Sequence, residues 1–113
     1  MNTPDPGTYV AAVVMLYVDL PQTPMRASAQ DHCFARRLHG QGVPLPLVEA
    51  ALLLATLRRL IRPVTFQPLS PIRSLAYFQP VIEELQSNPL PAGYLDYLRL
   101  KLRNAAKAGS ANV

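Results

Sequence analysis

Pro44-Leu-Pro-Leu-Val-Glu-Ala-Ala-Leu-Leu-Leu-Ala-Thr-Leu-Arg-Arg-Leu-Ile-Arg62, closed by Pro63, decides how this chain folds. Pro46 suits the first turn of a helix, where a missing N–H is no loss, and Pro63 stops propagation. Between them stand mainly Ala, Leu and Glu, which are strong helix formers. Ala50 to Ala55 is apolar without a break, so a helix turning about 100° per residue has no polar side there. The pattern predicts a central helix over residues 46–61 that other elements must cover, with Leu53 and Leu54 both buried. Its charges fall at the ends, Glu49 near the start and Arg58, Arg59 and Arg62 near the finish, with the signs that suit the helix dipole.

Outward from this helix, Gly40-Gln-Gly-Val-Pro44 connects it to a preceding one, Ala29–His39, which buries Phe34, Ala35 and Leu38. Ser28 and Asp31 stand at capping-box spacing, with Asp for the usual Glu, and Gly40 is the expected residue just past the C-terminus. So short a connection predicts an αα-hairpin with the central helix. A first helix covers Tyr9–Asp19, capped by Thr8, with Val10, Val13, Val14 and Tyr17 at i, i+3, i+4, i+7. Its valines also suit a strand, but the run does not alternate and contains Ala11 and Ala12.

Beyond the central helix, Pro63–Arg73 reads as an extended connector. Ser74 caps a fourth helix, Leu75–Gln86, which Pro80 should kink. Ser87–Pro91 breaks the chain again. A fifth helix follows from Ala92 to Ala105, with Tyr94, Leu95, Leu98 and Leu102 on one face. Residues 1–7 read as a flexible lead-in, 8–107 as one helical domain and 108–113 as a frayed tail. The fold class is therefore all-α: a compact bundle of about five helices, the third at its centre and packed by the first, fourth and fifth.

Composition agrees. The 113 residues are 50% apolar and 16% charged, enough for a single core and unlike a disordered tail. The 12 prolines fall between apolar segments, as punctuation. A net charge of +4 permits a polyanionic partner without requiring one. Cys33 is the lone cysteine, so no internal disulfide forms and a reducing compartment is expected. Tyr9–Val18 is too short to span a bilayer and has no basic residues before it. The expectation is a cytoplasmic protein with no membrane partner.

The chemistry-bearing residues form no catalytic set. His32 and Cys33 are neighbours and point about 100° apart on a helix, and His39 is not at ligand spacing from either, so no metal or cofactor is inferred. Glu83 and Glu84 are adjacent and cannot face each other across a substrate. No Gly-rich loop is present to cradle phosphate. The chain reads as non-catalytic, with no small-molecule substrate. Two basic groups remain as candidate nucleic-acid contacts: Arg58, Arg59 and Arg62, and then Arg99, Arg103 and Lys107. Phosphate contact needs little more than such side chains, although solvated helix faces look the same.

Tyr77-Phe-Gln-Pro-Val-Ile-Glu-Glu-Leu85 carries one resemblance. Tyr77, Val81, Ile82 and Leu85 look like the Tyr-x-x-x-Ile-Leu-x-x-Trp helix of DnaD-like domains in bacterial and phage replication proteins. Pro71-Ile-Arg-Ser74 resembles the entry to that helix. The resemblance implies a helical module that binds DNA or a replication protein, in replication or mobile-element maintenance. Leu85 occupies the Trp position, so that aromatic's stacking role does not carry over. The wider pattern of prolines also resembles short bacterial helical proteins of no established activity. On packing grounds alone Tyr77, Val81, Ile82 and Leu85 are core positions. The alternative function is a protein–protein adaptor or small structural bundle with no nucleic-acid role, and so apolar a chain is also compatible with a homodimer.

Overall fold

The computed structural model of the chain describes residues 5–61, 65 and 69–111, with side chains as far as Ala105. Helices α1 (Pro6–Val18), α2 (Ala29–Gly40), α3 (Leu45–Leu60), α4 (Gln79–Ser87) and α5 (Tyr94–Ala111) follow in order, and a 3-10 turn, Leu75–Phe78, immediately precedes α4. Among the described residues there is no strand. The all-α reading holds, and the valine-rich first segment is helical.

Helix α3 is the centre, in contact with α1, α4 and α5. Val48, Ala51, Leu52, Ala55 and Thr56 are all within 5% of full burial. The Thr56 hydroxyl is satisfied inside the helix by donating to the Leu52 carbonyl at 2.8 Å. Leu53 is buried as expected. Leu54 is not: it is half-buried at the margin of the core, because the covering helices do not close around the whole circumference of α3. Tyr9, Val13 and Tyr17 of α1 supply fully buried side chains at i, i+4, i+8, with Val14 only partly covered.

Helix α1 starts at Pro6 with Asp5 at its N-cap and no side-chain cap, so Thr8 lies inside the helix rather than capping it. Three further local expectations need correction. Helix α2 runs to Gly40, and the left-handed residue after it is Gly42, at φ 76°. The Tyr9 hydroxyl donates to the Val43 carbonyl at 2.7 Å and the His39 ring sits edge-on to Tyr9. These contacts draw the α2–α3 connection onto α1, so α2 packs on α1 and the 3-10 turn rather than as a hairpin along α3.

The fourth segment, secondly, is not one kinked helix. Leu75–Phe78 winds as a 3-10 turn and a new α-helix starts at Gln79, with Pro80 in its first turn, where proline is tolerated. Thirdly, Ser74 makes no side-chain cap. The Leu75 N–H donates instead to Asp31 Oδ1 at 2.9 Å. Asp31 Oδ2 accepts from the Ser28 N–H at 2.9 Å, and Ser28 Oγ accepts from the Asp31 N–H at 3.1 Å. One carboxylate, 3% exposed, thus completes the capping box of α2 and caps a turn 44 residues away. After α4, Gly93 turns the chain at φ 84° into α5, which starts at Tyr94 and continues past the expected Ala105.

Two measurements check this packing. Asp31→Ala removes two charge-assisted hydrogen bonds and should cost about 2–4 kcal/mol in urea unfolding, whereas Ser74→Ala should cost under about 0.5 kcal/mol. Equal losses at the two sites would contradict the assignment. Burial pushes the phenols of Tyr9 and Tyr17 up to about 12, and the Asp31 carboxylate adds to the effect at Tyr17. Below pH 10 folded and unfolded chains both keep these protons. Between pH 10 and 12 only the unfolded chain releases them, so stability should fall as pH rises through that window. At neutral pH, Tyr17→Phe should be harmless or stabilising, because its buried hydroxyl has no hydrogen-bond partner among the described residues. Tyr9→Phe should cost at least about 0.5–1.5 kcal/mol through its lost bond to Val43.

Candidate functional site

The basic residues singled out from the sequence are mostly occupied. Arg58, at the C-terminal end of α3, forms a two-pronged ion pair with Glu84 of α4, at 2.9 and 2.7 Å. That hydrogen bond raises the Arg58 pKa and holds the Glu84 carboxyl below its ordinary value. Arg59 donates to Gln22 Oε1 at 2.8 Å, the Tyr77 hydroxyl at 3.1 Å and the Ser70 carbonyl at 2.7 Å. Arg99 of α5 grips both oxygens of Glu49 at 2.8 Å and reaches Asp96 at 3.0 Å. The Glu49 bond, with Asp96 adding, drives its pKa up. Solvent screening leaves such surface pairs a small contribution to stability. They still fix α4 and α5 to opposite ends of α3 and use the guanidinium donors a phosphate would need.

Arg103 is exposed and makes no ion pair among the described residues. Arg62 and the Lys107 side chain lie outside the described residues. The two basic groups do not merge. Arg99 is anchored to Glu49, nine residues before Arg58 on α3, which is about 14 Å along the helix axis at 1.5 Å per residue.

The motif residues divide. Ile82 and Leu85 are buried, Val81 is half-buried, and Tyr77 is 42% exposed. Phe78 stands four residues before Ile82 and seven before Leu85 and shares their face, fully buried, which leaves Tyr77, about 100° further round the axis, outside it. Tyr77 instead lies under Arg59, whose guanidinium carbon is 5.4 Å from the ring centre. Arg58, Arg59, Tyr77 and Val81 line one shallow recess of about 310 Å³. Two features that are separate in sequence meet there.

A second recess, of about 300 Å³, is lined by Leu, Ala, Pro and Gly residues without a charged side chain. Its walls are the start of α3 (Leu47, Ala50), the end of α4 (Leu85), the start of α5 (Leu95) and the loop at Leu90, with Pro44, Pro46, Pro89 and Pro91 at the rim. The sequence shows these prolines only as breakers. That both proline clusters border one groove follows from the α4–α5 connection lying against the start of α3, a long-range fact that no local pattern carries.

Among the described residues no three His, Cys, Asp or Glu side chains converge as a metal site. Cys33 is exposed, and His32 Nδ1 lies 2.9 Å from the Ser28 carbonyl. Among the described residues no helix is long and apolar enough to cross a membrane. Comparison of the chain with protein-family models, with curated proteins and with solved structures finds no match.

Proposed function

We propose that the chain is a non-catalytic interaction module that captures an apolar segment of a partner protein in the groove between α3, α4 and α5. The groove's rim carries the reading. Proline has no N–H to donate, so Pro44, Pro46, Pro89 and Pro91 leave an occupant little to hydrogen-bond with. The half-buried Leu47, Leu90 and Leu95 behind them reward burial at about 25 cal/mol per Å². At about 300 Å³ the groove takes one or two aliphatic or aromatic side chains of a peptide. Such a mode relies on a few anchors, and a replication protein of the kind the motif around Tyr77 resembles is one candidate source of them.

The arginine groups support this reading by default, since Arg58, Arg59 and Arg99 are committed to holding the helices in place. A phosphate would have to displace Glu84 to reach Arg58 and Glu49 to reach Arg99.

Peptides selected on the full chain from a random displayed library test the reading. Selected sequences should carry paired apolar anchors, and Leu90→Asp in the groove wall should weaken them at least about tenfold with helical content unchanged. Their affinity should vary little between about 50 and 200 mM salt, because apolar docking releases no counterions. Peptides insensitive to Leu90→Asp, or affinity falling steeply with salt, would contradict the groove as the site.

A further inference from the structure

The outer face of α5 differs in character from the groove. Leu95, Leu98, Leu102 and Ala105 face the core. At about 100° per residue the opposite side is centred on Leu100, with Tyr97 and Lys101 on one flank and Arg103 on the other. Tyr97 is 48% and Leu100 49% exposed. After Asp96 the helix carries no acidic residue, while Lys101, Arg103 and Lys107 follow. The two carboxylates at its near end, Glu49 and Asp96, are both taken by Arg99. Lys101 and Arg103 have no ion-pair partner among the described residues. Lys101 Nζ rests 5.9 Å from the centre of the Tyr97 ring, which also leans on Tyr94 with ring centres 5.2 Å apart.

From this arrangement we infer that the outer face of α5 binds single-stranded nucleic acid, with Lys101 and Arg103 on phosphates and a base on the Tyr97 ring. The site is distinct from the groove and does not depend on it. Magnitudes favour the exchange it requires. An exposed cation–π contact is worth less than a stacked base. Lys101 can therefore leave the ring for a phosphate while a base takes its place. A duplex keeps its bases stacked and offers Tyr97 no partner. A lipid surface needs a broad apolar face, whereas most of α5's leucines are turned to the core.

Fluorescence anisotropy of the full chain with labelled dT15, a duplex of equal length, and vesicles of seven parts phosphatidylcholine to three of phosphatidylserine tests the inference. Binding of dT15 is expected at about 50 mM salt, weakening as salt rises. Lys101→Ala with Arg103→Ala should lower the slope of log affinity against log salt by about 1.4, since each single-strand phosphate contact contributes about 0.7. Tyr97→Ala should weaken binding roughly five- to a hundredfold, and Tyr97→Phe should retain it. All these side chains are exposed, so helical content should not change, and Leu90→Asp should leave dT15 binding intact. Absence of dT15 binding, tighter binding of the duplex, binding of the vesicles but not of dT15, or affinities unmoved by both sets of variants would overturn the inference.

Discussion

Helix α3 imposes the constraint from which the rest of the architecture follows. Its middle, Ala50 to Ala55, has no side that water can favour, so elements must be brought to it from several directions. α1, α4 and α5 fill that role. The polar residues are confined to its ends, and there they become attachment points. Glu49 receives Arg99 of α5, and Arg58 receives Glu84 of α4. The apolar middle drives association, while the charged ends set which helix lies where.

The same constraint leaves the groove. At the N-terminal end of α3, Ala50 is buried but Leu47 is only partly covered. Pro89 and Pro91 break the chain between α4 and α5, and Pro44 and Pro46 stand at the start of α3. Backbone that cannot propagate a helix cannot close the gap, so apolar side chains stay accessible between proline rings. The surface thus divides into a groove without charged side chains at one end of α3 and a basic, aromatic outer face on α5, while Arg58, Arg59 and Arg99 hold the bundle together.

Some sequence-local chemistry was legible in the sequence, although the caps read at Thr8 and Ser74 were not formed. The capping box of Ser28 and Asp31, the extent of α3 and the core face of α2 (Phe34, Ala35, Leu38) depend on residues within a turn or two of one another. What escaped was pairing across distance. Asp31 also holds Leu75, 44 residues on. The partners of Arg58 and Arg99 lie 26 and 50 residues away, so both arginines looked like solvated or phosphate-seeking charge. Tyr77 was misplaced for a different reason. The row Tyr77, Val81, Leu85 at i, i+4, i+8 drifts by about 40° per step, so with Ile82 and Leu85 in the core it is Phe78 that shares their face, while Tyr77 turns outward to Arg59. Pro80 in first-turn position was the available signal for a helix start.

The centrality of α3 is most directly tested by native-state amide hydrogen exchange on the full chain. Amides from Ala51 to Leu57 lie where burial is most complete and should exchange only through global unfolding, with the highest protection in the molecule. Amides of α2, whose outer face is exposed around His32, Cys33, Arg36 and Arg37, should open at lower free energy. Exchange from the middle of α3 at rates equal to or above those of α2 would contradict the account.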